Sequence, residues 1–165
     1  HYVGRTFIEP TQNIRSLGVK LKLSSTRTIV KNKVIILIDD SLVRGTTCHK
    51  IVKMLYESGA KEVHVRIACP EIKFPDFYGV DMPTKKELLA YEKNNDEMCD
   101  YIKAKSLKFL SLDGLYKALI NEKRNANYPQ FSDHYFTGDY PIKPYDNLQG
   151  LKVKQLSLLS GKSNS

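Results

Sequence analysis

Two adjacent carboxylates, Asp39 and Asp40, stand at the end of the apolar run VIILI and lead into SLVRGTT, a loop of hydroxyls, an arginine and a glycine. Neighbouring aspartates repel each other and are costly to desolvate, so a pair delivered by a buried apolar run has a use outside the core. Side by side they suit a pair of hydroxyls or a divalent cation such as Mg²⁺, either of which offsets their repulsion. The loop suits an anion. Gly45 lets the backbone come close to a phosphate, Ser41, Thr46 and Thr47 carry donor hydroxyls, and amides at a helix start sit at the positive end of its dipole. A ligand with a vicinal diol at one end and a phosphate at the other matches both halves, and ribose 5-phosphate has that shape. An aspartate pair alone is more often a solvated turn. The acid pair at the end of an apolar strand, followed by a hydroxyl and glycine loop that opens a helix, is far more specific. The spacings G-x-x-x-x-G-K-[ST], G-x-G-x-x-G and G-x-S-x-G do not occur in the chain.

The elements that must position these residues read as alternating strands and helices. VIILID (34–39) is rich in β-branched residues and is expected to be a strand buried on both faces of a parallel sheet. TTCHKIVKMLYESG (46–59) follows as a helix, with Ile51, Met54 and Leu55 on one face and Gly59 as its stop. EVHVRIA (62–68) alternates as the next strand and closes before Pro70, which makes a β-α-β unit. PTKKELLAYE (83–92) starts with proline and continues with good helix formers, so one helix is expected there. NNDEMCDYIKA (94–104) predicts a further short helix and LKFLSL (107–112) a third strand. A helix over 113–122 comes next, with LYKALI as its buried face. Beyond Arg124 the pattern weakens into an irregular Asn-, Asp-, Pro- and Tyr-rich extension with a polar tail.

Composition bounds the rest. The 165 residues, 41% hydrophobic and 27% charged, suit one ordinary α/β domain. The longest fully apolar run, VIILI, is far below the ~20 residues that span a bilayer, and HYVGRTFIEP has no signal-peptide layout. A cytoplasmic location without membrane contact is expected. Cys48, Cys69 and Cys99 have no C-x-x-C spacing and read as reduced thiols. His1, His49, His64 and His134 lack zinc-ligand spacing. The net charge is +8, and residues 1–33 hold seven Lys and Arg against the single acid Glu9. Such a segment is either a solvated surface or a contact for nucleic acid, acidic membrane or a charged small anion. Without interleaved aromatics or a nucleic-acid-binding module, a polyphosphate is the favoured partner and nucleic acid is not expected.

The string VIILIDDSLVRGTT resembles the phosphoribosyl pyrophosphate motif of the type I phosphoribosyltransferases. The blocks YVGRTFIEPTQNIRSLGVKLKLS, GAKEVHVRIACPEIKFPDFYGVDMPTKKELLA and FTGDYP are similar, in that order, to successive blocks of the amidophosphoribosyltransferases, glutamine-dependent enzymes of the first committed step of purine synthesis. The resemblance covers residues 2 to about 141. It implies an α/β, parallel-sheet type I phosphoribosyltransferase fold, incomplete at its N-terminal side. Three expected strands, where a doubly wound sheet has about five, fit that. The expected organisation is a basic flap over 1–33, a partial transferase core over 34–124 and an irregular extension and tail over 125–165.

Site roles follow from the same resemblance. Asp39 and Asp40 would hold the ribose hydroxyls and Mg²⁺. Ser41 to Thr47 would form the phosphate loop, with Ser41, Val43, Arg44, Gly45, Thr46 and Thr47 on the substrate. Residues 2 to about 24 would close over it, with Arg5 as the catalytic cation that meets departing pyrophosphate. Ammonia from a glutaminase half would attack the anomeric carbon through an oxocarbenium-like state, with no protein nucleophile. That half begins with a catalytic cysteine, whereas this sequence starts at His1, so a fragment inactive with glutamine by itself is expected. The full-length enzyme is expected to be a homo-oligomer. Members with an iron–sulfur cluster hold it through cysteines at positions matching Asp76, Ser132 and Tyr135; none is cysteine here, and no cluster is expected. IKAKSL (102–107) also departs from the family, which has a glycine and an acid there. Two other functions compete: a non-catalytic module that senses phosphoribosyl pyrophosphate on the same fold, and a nucleobase phosphoribosyltransferase. The long flap with Arg5 favours the amidotransferase over the first, and no stretch suited to a base-reading hood favours the second.

Overall fold

A computed structural model describes residues 27–79 and 84–142. The elements run α1 (Arg27–Val30), β1 (Val34–Asp39), α2 (Thr46–Glu57), β2 (Glu62–Ile67), a 3₁₀ turn (Lys85–Glu87), α3 (Leu89–Glu92), α4 (Asn95–Ile102), β3 (Ser106–Phe109), α5 (Leu112–Ile120) and α6 (His134–Thr137). The three strands form one parallel sheet in the order β1-β2-β3. Its register sets Ile35 beside Val63 and Leu37 beside Val65, with Val65 in turn beside Leu107. Successive strand side chains alternate between faces, so this register gathers one apolar face. Val63, Val65, Ile67 and Leu107 on that face are buried with Val52 and Leu55 of α2 and Met98 and Ile102 of α4. Val30 of α1 joins the same core, and Lys61 N–H donates to the Lys33 carbonyl at 2.8 Å.

Among the described residues the other face of the sheet is open, which corrects the expectation that 34–39 is buried on both sides. Val34, Ile36 and Ile38 are 53%, 64% and 72% exposed. Beside them on β2, His64 and Arg66 are half-buried and bond the Ser106 hydroxyl at 2.7 and 3.0 Å. The apolar run predicts a strand correctly, but burial depends on what packs against each face. Among the described residues, β1 has a neighbour on one edge only.

The helices follow local chemistry with particular departures. In α2 the buried residues are Cys48, Val52 and Leu55, while Ile51 and Met54 of the expected stripe are only half-buried. The stripe is rotated by about one residue, because Leu55 is shared between the two spacings. After Ser58, Gly59 takes φ +92° and Ala60 N–H returns to the Leu55 carbonyl at 3.1 Å, a left-handed helix stop as expected. The single helix expected over 83–92 is two pieces. Thr84 and Glu87 cap the 3₁₀ turn reciprocally, then Leu88 goes extended and is fully buried. Burying Leu88, Leu89 and Ala90 in succession overrides the helix propensity of their neighbours.

Helix α4 starts at a capping box in which Asn94 accepts the Asp96 and Glu97 amides, each at 3.0 Å, and Glu97 accepts the Asn94 amide at 2.8 Å. The third strand is shorter than expected, because Ser111 already caps α5 by accepting the Gly114 amide at 3.0 Å. In α5 the buried residue is Tyr116, whereas Leu119 of the expected apolar face is 59% exposed. Tyr116 is oriented by a polar contact, its hydroxyl donating to Asp133 at 2.8 Å. Asp133 is buried and also bonded by Arg124, which reaches Asp139 at 2.7 Å. Burial works against the Asp133 carboxylate, but the Arg124 and Tyr116 bonds prevail and hold it below the usual carboxylate range. These contacts hold residues 124–139, which include the short helix α6.

Candidate functional site

Asp39 ends β1 at the carboxyl edge of the sheet, where ligands bind in open α/β folds. Its carbonyl accepts the Ala68 amide at 2.9 Å, which fastens the strand end to β2. Its carboxylate accepts the Asp40 amide at 3.0 Å, and Asp40 accepts the Ser41 hydroxyl at 2.8 Å. Partial burial raises the Asp39 carboxyl above its ordinary range; the Asp40 amide opposes this and the Asp40 charge adds to it. A bound cation or a pair of donor hydroxyls would relieve both raising effects. No group of three or more His, Cys, Asp or Glu side chains gathers for a metal among the described residues. Mg²⁺ characteristically uses one or two carboxylates together with phosphate oxygens of a substrate, so this donor set fits it.

The loop turns on Leu42 and Gly45. Leu42 is buried in the core and anchors the loop's middle. Gly45 lies at φ +72°, the left-handed region, immediately before α2. A side chain there would also collide, because a Cβ would sit 2.7 Å from Leu89 Cδ2 and 3.0 Å from Tyr101 Cε1. Leu89 N–H donates to the Val43 carbonyl at 2.9 Å, and Tyr101 offers its carbonyl to His49 Nδ1 at 2.8 Å. Arg44, exposed, pairs with Glu87 at 3.5 Å. Helices α3 and α4 thus back the loop. Sequence reasoning missed Glu87, Leu89 and Tyr101, since no local pattern shows that their segments return to residues 43–49.

Helix α2 begins with no side-chain cap and no acidic residue in its first turn. Its first amides are left for another acceptor, and Thr46 and Thr47 add hydroxyls beside them. Two cysteines lie near the acid pair. Burial, reinforced by the negative charge of Asp39, pushes the Cys48 thiol up to about 11, and burial with the charges of Asp40 and Asp39 does the same to Cys69. Neither is a thiolate nucleophile at neutral pH. The structure therefore brings Asp39, Asp40, Ser41, Val43, Arg44, Gly45, Thr46 and Thr47 into one strand–loop–helix turn. Arg5 and the flap up to residue 26 lie outside the described residues.

Solved structures with the same arrangement identify the class. A glutamine phosphoribosylpyrophosphate (PRPP) amidotransferase from B. subtilis, complexed with ADP and GMP, superposes with TM-score 0.66 at 41% identity, over 85% of this chain and 30% of that one. A second structure, described as the allosteric regulatory enzyme of purine biosynthesis, matches with TM-score 0.66 at 44% identity and the same coverage. The fold is that of a type I phosphoribosyltransferase domain.

Sequence relatives narrow this further. The amidophosphoribosyltransferase of Rhizobium etli is 55% identical over 161 residues, which is 97% of this chain and 32% of that protein. The chloroplastic amidophosphoribosyltransferase 2 of Arabidopsis thaliana is 52% identical over 155 residues, 94% of this chain and 26% of its own length. No protein-family model matches. The chain is a homologue of the amidophosphoribosyltransferases and spans about a third or less of their length.

Proposed function

We propose that the chain carries the ribose-phosphate site of an amidophosphoribosyltransferase. In this reading it binds phosphoribosyl pyrophosphate with Mg²⁺ and, together with a glutaminase part, forms 5-phosphoribosylamine from glutamine-derived ammonia in the cytoplasm. The observation that supports it is the acid pair at the carboxyl end of a parallel strand, joined by one short loop to an uncapped helix start. Asp39 and Asp40 accept hydrogen bonds from the two ribose hydroxyls. The amides of α2, with Ser41, Thr46 and Thr47, hold the 5-phosphate. Mg²⁺, when bound, neutralises charge between the carboxylates and the pyrophosphate. Arg5, in the basic N-terminal segment, meets the pyrophosphate as the anomeric C–O bond breaks, and ammonia's lone pair forms the new C–N bond. Positioning and electrostatics carry the reaction, and no residue of the chain needs to become covalently attached. The full-length enzyme assembles as a homo-oligomer in this reading.

Calorimetric titration of the chain with phosphoribosyl pyrophosphate, with and without Mg²⁺, tests the site. Metal-dependent binding is the expected result. Absence of binding by a chain that circular dichroism shows to be folded would overturn the reading of 39–47 as a working half-site. Binding without turnover after addition of ammonia, in a full-length relative carrying this segment, would instead favour the sensing module.

A further inference from the structure

The positions that match cluster cysteines in iron–sulfur members of the family meet in space here, around a buried histidine. His134 Nε2 bonds Asp76 at 2.8 Å, and their side chains are 2% and 0% exposed. A carboxylate only accepts, so Nε2 carries the hydrogen. In the neutral ring Nδ1 then accepts from the Ser132 hydroxyl, 3.0 Å away. Asp76 also accepts the Tyr78 amide at 2.9 Å and is bonded by Tyr135, whose phenol is raised by burial first and then by the Asp76 charge and that bond. Rings close the cluster: Tyr135 lies 4.0 Å and Tyr140 5.1 Å from the His134 ring, with Tyr78 edge-on at 5.2 Å.

The same residues tie two segments together through the backbone. The Lys73 and Phe74 amides donate to the Tyr135 carbonyl at 2.9 and 3.1 Å, and the Tyr140 hydroxyl donates to the Pro75 carbonyl at 2.9 Å. Gly138, at φ +78°, lets Phe74 close in, since a Cβ there would lie 2.9 Å from its ring.

An iron–sulfur cluster does not fit these residues. Such clusters are held by thiolates, whereas Asp76, Ser132 and Tyr135 present oxygens: Asp76 and Ser132 bond His134, and Tyr135 bonds Asp76. The described cysteines lie elsewhere, and burial raises all three thiols, disfavouring the thiolate a cluster needs.

We propose that the chain replaces an iron–sulfur crosslink with a hydrogen-bonded clasp of Asp76, Ser132, His134 and Tyr135, which fastens residues 132–142 to residues 72–78 without metal. This goes beyond the ribose-phosphate reading, and none of its tests touches the acid pair. Metal and acid-labile sulfide are first measured in the chain purified from iron-replete cells, with visible absorption and thermal unfolding before and after a strong iron chelator. No stoichiometric iron or sulfide and an unchanged unfolding midpoint are expected. Stoichiometric iron and sulfide, or a midpoint that falls on chelation, would overturn the proposal. Hydrogen exchange then compares the chain with Asp76→Asn and Ser132→Ala. Asp76→Asn should speed exchange at the amides of 134–138 by about tenfold or more, with Ser132→Ala smaller in the same direction and the β1–β2 amides unchanged. Unchanged exchange at 134–138 in both variants would overturn the clasp. If Asp76→Asn fails to fold, Ser132→Ala alone decides. Labelling of Ser132 by a fluorophosphonate would also overturn the purely structural role, because the Ser132–His134–Asp76 chain would then be activating a nucleophile.

Discussion

At Asp39 stability and the proposed ligand role pull in opposite directions. Burial raises its carboxyl, so the folded chain binds that proton more tightly than the unfolded chain does. Stability therefore falls as pH rises from the ordinary carboxylate range through the raised value. Asp39→Asn should leave the thermal midpoint at pH 7 unchanged or slightly higher. Any gain should vanish below the ordinary carboxylate range, near pH 4. The same variant should weaken Mg²⁺-dependent binding of phosphoribosyl pyrophosphate by about a hundredfold, the scale of a lost charged contact. Midpoints at two pH values and one titration check both halves. Gly45 shows the reverse case, a residue whose loss costs stability and geometry together. Gly45→Ala should destabilise by about 1–3 kcal/mol through its left-handed backbone and the contact with Leu89. In a Leu89→Ala background the cost should be smaller, and a urea double-mutant cycle measures the difference.

Among the elements, α4 contains a strained end. Lys103 closes it at φ +60°, ψ +30°, a conformation that glycine adopts without the Cβ conflict. Lys103→Gly should stabilise the chain by about 0.5–1 kcal/mol, read from the urea midpoint at unchanged slope. Because α4 carries Tyr101 against Gly45, a firmer α4 end should leave ligand affinity equal or slightly higher. The broken 83–92 segment makes the complementary point. Its residues favour helix, but Leu88 must turn extended to bury, and the Leu89 amide that results holds the Val43 carbonyl.

At the scale of the whole sheet, one face is packed and the other is open among the described residues. Val34, Ile36 and Ile38 form a contiguous exposed apolar row beside the unpaired edge of β1 among the described residues. Such rows attract other apolar surfaces and strand edges. The isolated chain should self-associate with increasing concentration. Ile36→Thr with Ile38→Thr should reduce that association while shifting stability by less than about 1 kcal/mol, since both side chains are already largely exposed. Sedimentation velocity across a concentration series, with urea unfolding of both forms, checks it. The homologues are about three times as long as this segment, so their remaining residues have ample length to cover the row.

What could be read from the amino-acid order is the part governed by neighbours along the chain. The apolar run, the acid pair and the glycine before the helix mark a strand, a loop and a helix start. Their chemistry for a diol and a phosphate follows from side chains within nine residues of one another, Asp39 to Thr47. The strand alternation of 62–67 and the helix stop at Gly59 are local in the same way. Tertiary structure decided what depends on distant partners. It set which face of β1 stays open, why Leu88 breaks a helix, and that Leu89 and Tyr101 stand behind Gly45. It also brought Asp76 together with Ser132, His134 and Tyr135, His134 standing 58 residues further along the chain. Propensity and periodicity act over a few residues, whereas burial, collision and hydrogen-bond satisfaction are settled only when the whole chain has packed.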